Sequence, residues 1–104
     1  MRPILIAHLD KSRPVLILTR ELVRPYMNSV TVAPITSNVR GLETEVPVGF
    51  DNGLDQPSVV QCDAITTVKS SLLGRLIGYL LPHQEAQLAE AVHLAFDLDG
   101  PAHW

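Results

Sequence analysis

Arg13-Pro14-Val15-Leu16-Ile17-Leu18-Thr19 and Ser29-Val30-Thr31-Val32-Ala33-Pro34-Ile35-Thr36-Ser37-Asn38 are the two stretches that decide the fold. Both are rich in β-branched residues and end in polar or turn-forming residues, the pattern of strands. The connector from Arg20 to Asn28 is short enough for an antiparallel return. In an antiparallel pair the first residue of one strand lies near the last residue of the next, so Arg13 and Thr36 are expected at one mouth of a sheet. A permanently charged planar donor beside a hydroxyl suits a phosphate, because the guanidinium fork donates two parallel hydrogen bonds.

Working outward, a first strand is expected from Pro3 to Ala7, with Asp10-Lys11-Ser12 as the tight turn into the second. Thr44-Glu45-Val46-Pro47-Val48 alternates polar and apolar like a half-exposed strand. Asp51-Asn52-Gly53 is a turn signal, since Asn and Gly tolerate positive φ. Ser58 to Cys62 reads as an apolar strand, Ser70 to Gly74 as a helical turn ended by glycine, and Arg75 to Leu81 as a last strand. From Pro82 the period changes. Proline at the first helical position, Glu85 in the first turn, and Leu88, Val92 and Phe96 at four-residue spacing predict an amphipathic helix, stopped by Asp99-Gly100-Pro101. Short strands plus one terminal helix predict a mainly β, small closed or partly open barrel over about residues 3–81 and a helix over about 82–97, all one domain.

At 104 residues the chain buries most of its apolar surface but has little spare stability. No apolar run approaches the length of a membrane span, and the N-terminus turns polar too soon for a signal peptide. Cys62 is the only cysteine, which excludes an internal disulfide and a cysteine-based zinc site. These features point to the cytoplasm. The net charge of −3 looks wrong for a nucleic-acid binder, but it is unevenly spread. Residues 1–40 carry six Lys/Arg against two acids, a net +4; residues 41–104 carry two against nine, a net −7. A local basic patch attracts phosphates even on an acidic chain. For Arg20 and Arg24 a solvated surface is an equally good reading.

The same residues carry a resemblance. Arg13-Pro14-Val15-Leu16-Ile17-Leu18 resembles the opening signature of the MazF/PemK toxin endoribonucleases of type II toxin–antitoxin systems. Val32-Ala33-Pro34-Ile35-Thr36-Ser37-Asn38-Val39-Arg40 is similar to that family's second block. Gly53-Leu54 with Pro57 to Asp63, and Leu73 to Leu80, are similar to its third and fourth. The blocks stand in family order over about residues 3–97. The resemblance implies an SH3-like barrel, a symmetric homodimer, and sequence-selective cleavage of single-stranded RNA without metal or cofactor. It also implies a small MazE-like antitoxin with an acidic, largely disordered C-terminal segment. Arg13 and Thr36 fall on the family's catalytic arginine and threonine.

RNA is cut without a metal when its own 2′-hydroxyl attacks the neighbouring phosphorus. That step needs a proton acceptor, stabilisation of the charged phosphorane, and a proton for the leaving 5′ oxygen. Arg13 suits the charge, often the largest catalytic term, and Thr36 suits a non-bridging oxygen. Arginine titrates above about 12, so Arg13 is a poor base. Asp63, at the end of the Ser58–Cys62 strand, is a candidate to orient Arg13 or move a proton; a turn-capping aspartate is the equal alternative. His8, after the first strand, is a second candidate. Aromatics are few, so base reading falls to polar groups, and Lys11, Ser37, Asn38, Arg40 and Gln61 are the expected RNA contacts.

The chain departs from the family where only Asp10, Lys11 and Ser12 separate Leu9 from Arg13; most members have a longer, glycine-containing loop there, often with an acid. The shortness argues against carrying over the family's acid from that loop and is expected to open the site to a different or more structured RNA. The family's usual N-terminal aromatic is also missing, with Ile6, Ala7 and His8 in its place. Two other readings stand beside the nuclease. One is a gyrase-inhibiting CcdB-like toxin, against which the ending Gly100-Pro101-Ala102-His103-Trp104 speaks, since that family ends in Trp-Gly-Ile. The other is a catalytically silent RNA- or protein-binding barrel.

Overall fold

The computed structural model describes residues 1–98. Seven strands form one bent sheet: β1 (Pro3–His8), β2 (Ser12–Ile17), β3 (Ser29–Thr36), β4 (Glu45–Val48), β5 (Ser58–Gln61), β6 (Thr66–Lys69) and β7 (Leu73–Tyr79). A single helix, α1 (Pro82–Ala95), follows. The strand order is β4-β5-β3-β2-β1-β7, with β6 also paired to β3. Every pairing is antiparallel. This is a half-barrel with β4 and β7 at its two ends.

The sequence reading had no strand where β6 lies. Thr66-Thr67-Val68-Lys69 is short and polar at three of its four positions, so it gives little hydrophobic signal, yet it pairs with residues 29–32 of β3. β5 pairs with the other end of β3, at Ile35 and Thr36. β5 and β6 therefore run along one flank of β3 in succession, joined by a 3₁₀ corner at Cys62–Ala64. Gly74 does not end the preceding turn as expected. It lies within β7, where a Cβ would collide with the ring of His8.

Apolar side chains sit on both faces of the sheet. One cluster joins Ile4, Leu16, Ala33, Ile35, Val46 and Val60 to Leu88 and Ala91 of the helix. The other joins Ala7, Val15, Ile17, Val30, Val32 and Val68. Alternation along β2 and β3 sends neighbouring residues to opposite clusters, which is why both strands read as nearly continuous apolar runs. The buried helix stripe is Gln84, Leu88 and Ala91, with Val92 and Ala95 beside it. Phe96, expected on that stripe, is 54% exposed, because the helix stops before it. The stop is an αL residue, Asp97 at φ 54°, with Leu98 N–H donating to His93 C=O at 2.8 Å. The expected stop at Asp99-Gly100-Pro101 lies outside the described residues.

Two polar devices fasten the helix. The amides of Asn52 and Gln84, both buried, face each other: Asn52 Nδ2 donates to Gln84 Oε1 at 2.7 Å and Gln84 Nε2 donates to Asn52 Oδ1 at 3.1 Å. Their remaining capacity goes to backbone. Asn52 Nδ2 also donates to Tyr79 C=O and Gln84 Nε2 to Pro47 C=O, while the N–H groups of Gly49 and Leu81 donate to the two amide oxygens. The second device is Arg2. Its guanidinium grips Glu85 at 2.5 Å and donates to the carbonyl of Leu18 at 2.9 Å.

Gln84→Ala leaves the buried Asn52 amide, and the part-buried Leu81 N–H and Pro47 carbonyl, short of partners. We expect a loss of about 3 kcal/mol, read as a lower urea midpoint, since each buried orphan costs about 1–3 kcal/mol. Glu85 titrates below its ordinary value, chiefly because Arg2 hydrogen-bonds its carboxylate. Its contribution is thus present above the unfolded value near 4.5 and is lost as pH falls through the lower folded value. The pair is solvent-screened, so Glu85→Gln should cost no more than about 1 kcal/mol at pH 7, and the difference from wild type should shrink as pH falls below the unfolded value.

Candidate active site

The register of β2 on β3 pairs Val15 with Pro34, Leu16 with Ala33 and Ile17 with Val32. Continued two residues outward, it sets Arg13 opposite Thr36. Both side chains line one open cavity of about 470 Å³. Its floor is apolar: Ile6 of β1, Pro14 of β2, Ile35 of β3 and Ile77 of β7. Its rim adds Ser37, Ser58, the loop Gly53–Gln56, and a second guanidinium, Arg75 of β7. Among the described residues neither Arg13 nor Arg75 has an ion-pair partner, so both charges remain available to a ligand.

Thr36 is set for donation. Its Oγ1 accepts the backbone N–H of Asn38 at 3.1 Å. That bond occupies a lone pair and leaves the hydroxyl proton to point elsewhere. The opposite wall is positioned by main chain. Gly53 sits at φ 85°, and a Cβ there would strike the carbonyl of Ile77; a Cβ on Gly78 would strike the carbonyl of Asn52. The loop therefore lies directly on β7, which only glycine at both points allows. Ser58 Oγ donates to Gln56 C=O at 3.1 Å and closes the loop's far end.

The other residues singled out from sequence are spread more widely. Ser37 shares the cavity with Arg13 and Thr36. Lys11 lines a neighbouring cavity of about 370 Å³, with Val15, Val32, Pro34 and Thr66, which Arg13 also borders. The Asn38 backbone is engaged by Thr36, and Arg40 N–H donates to the Glu45 carboxylate at 3.1 Å; neither residue lines the cavity. Gln61 and Asp63 lie outside it because β5 runs antiparallel to β3. Thr36 faces Val59, so Ser58 is the end of β5 near the site and Gln61 is the far end, opposite Glu45. Asp63 accepts a 2.5 Å hydrogen bond from the Thr44 hydroxyl. His8 Nδ1 lies 3.0 Å from Ser12 Oγ, with the ring against Gly74. The carboxylate in the cavity is instead Asp55.

Arg75, Asp55 and Gln56 were missed. Splitting the charge by halves assigned Arg75 to an acidic segment. Its signal is that it is the lone ion in Leu73–Tyr79, an otherwise apolar strand with two glycines. Among the described residues no three His, Cys, Asp or Glu side chains are grouped to hold a metal ion, and no helix is long and apolar enough to cross a membrane.

Residues 4–96 match the profile of the PemK-like, MazF-like toxins of type II toxin–antitoxin systems. The chain is 68% identical over 99 residues to endoribonuclease MazF3 of Mycobacterium tuberculosis, covering 95% of this chain and 96% of that one. It superimposes on the structure of Mycobacterium tuberculosis toxin MazF-mt6 with a TM-score of 0.92 at 67% identity, over 94% of this chain and 99% of the other. An endoribonuclease of a mycobacterial species, solved in complex with its cognate antitoxin, shares the fold at 23% identity, with a TM-score of 0.85 over 95% of each chain.

Cys62 is 1% exposed at the 3₁₀ corner that follows β5. Burial, aided by the Asp63 charge, pushes its thiol up to about 11. In the native protein at pH 8, iodoacetamide should therefore label it far more slowly than in urea, with both rates read by mass spectrometry.

Proposed function

This chain belongs to the PemK/MazF toxin family of type II toxin–antitoxin systems, and we propose that it cuts single-stranded RNA at a site built on Arg13 and Thr36. The observation that carries the reading is their meeting across the β2–β3 pair in one cavity, with the Thr36 proton uncommitted and the Arg13 fork unpaired. In this reading the substrate's 2′ oxygen attacks phosphorus as its proton leaves, and the bond to the 5′ oxygen breaks. That oxygen departs with its electron pair and takes up a proton, leaving a 2′,3′-cyclic phosphate. Arg13 donates to the two non-bridging oxygens as they gain charge, and Thr36 adds a third hydrogen bond. The carboxylate that lines the cavity is Asp55, while Asp63 and His8 do not line it, and the proton acceptor is left unassigned.

The rest of the reading follows from this site. We take the whole chain as one toxin domain working in the cytoplasm, where its RNA is. A two-ended sheet with free edges at β4 and β7 supports a homodimer. A nuclease of this kind needs restraint, and the mycobacterial endoribonuclease bound to its antitoxin supports a partner of the same kind here. The names of the relatives at 68% identity disfavour the gyrase-inhibiting and catalytically silent alternatives.

The test is incubation of the purified protein with a mixed RNA in EDTA, followed by mapping of the cut ends. Discrete cuts with cyclic or 3′-phosphate ends are expected; intact RNA would refute the reading. Arg13→Ala and Arg13→Lys should each lower kcat by at least about 100-fold, because a point charge does not replace the fork. Thr36→Ala should fall strongly and Thr36→Ser only severalfold. Equal loss in the two threonine variants would assign Thr36 to packing.

A further inference from the structure

We propose that Arg75 is a second phosphate-binding residue, holding the phosphate one nucleotide away from the one that Arg13 holds. This rests on the reading of the cavity as an RNA-cleaving site. Arg13 stands on β2 and Arg75 on β7, and β1 lies between these strands in the sheet. Two strand spacings separate their backbones by about 10 Å. The gap is not polar: Ile6 of β1 lies between, and Pro14, Ile35 and Ile77 continue the floor. The cavity thus presents a cation, an apolar step and a second cation. An RNA strand presents the same alternation as phosphate, nucleoside and phosphate. A sugar and base laid on the isoleucine floor bring consecutive phosphates to the two guanidiniums.

Two further features support two phosphates over one. The Thr36 hydroxyl lies beside Arg13 across the β2–β3 pair, so the polar groups suited to the reacting phosphate are gathered at that end. At the Arg75 end the cavity is walled by the loop Gly53–Gln56, which lies on β7 through Gly53 and Gly78. Asp55 and Gln56 on that loop offer acceptors and donors to a base edge held between the two charges. Arg75 is exposed and outside both apolar clusters, so replacing it does not disturb the core.

The experiment uses an oligonucleotide carrying the mapped cut site, in which each phosphate flanking the cut is made neutral in turn as a methylphosphonate. With wild-type protein, neutralising one flanking phosphate should raise KM about tenfold, with a smaller change in kcat. Arg75→Ala should raise KM to a similar degree on the unmodified RNA. The same neutralisation should then have no further effect, because the two changes remove one interaction. Arg75→Ala should also lower the slope of log affinity against log salt by about 0.7, and Arg75→Lys should restore that slope. Additive losses at both flanking phosphates, or a loss in kcat matching that of Arg13→Ala, would overturn the proposal. Wild-type protein that cuts no RNA would instead overturn the function on which it rests.

Discussion

The site depends on a pair of buried primary amides that lie outside its cavity. Asn52 and Gln84 satisfy each other and four backbone groups, at Pro47, Gly49, Tyr79 and Leu81. Those groups belong to β4, the turn after it, the end of β7 and the entry to α1. Four separate parts of the chain are thereby registered to one another by directional bonds to two buried amides, where an unmet polar group is costly. Apolar packing alone would hold them together without fixing their relative positions. Because Asn52 is anchored, Gly53 begins the cavity loop at a fixed point against Ile77, and the helix closes the core from a fixed origin.

From that frame the chemistry follows by register. The antiparallel arrangement of β2 on β3 carries Arg13 to Thr36 with no loop involved in positioning either backbone. Side chains on regular strands are held more tightly than on loops, as a preorganised donor requires. Asp55 and Gln56, the groups proposed to meet a base edge, by contrast sit on a loop. In the proposed reading, catalysis and recognition are therefore built on different kinds of structure within one cavity.

The legible part of this protein was local. Two β-branched runs and a short connector are enough to pair Arg13 with Thr36, and Pro82 is enough to start the helix, because each inference needs only neighbours in sequence. Asp51-Asn52-Gly53 was legible as a turn, but nothing nearby shows that the Asn52 amide points inward to a helix 32 residues later. Asp63 and Gln61 were placed too close to Arg13 because a strand was recognised without its direction relative to β3. Ser58, at the other end of that strand, is the residue the pairing delivers. β6 was lost for a related reason: its threonines are stabilised by pairing with β3, a partner more than 30 residues away in sequence. Arg75 was visible as a lone charge among aliphatics, yet its neighbour across the cavity lies on β2, joined to it only through β1.

The two glycine contacts between the loop and β7 are made by backbone against backbone. A wall anchored in this way does not depend on the side chains it displays. Asp55 and Gln56 can be exchanged for other polar residues without moving the loop, the floor or the two arginines. On the proposed roles, the scaffold thus separates what is cut from how it is cut. Lineages carrying it are free to drift in RNA preference through a few exposed positions while the stability of the barrel and the geometry of the chemistry stay under independent selection.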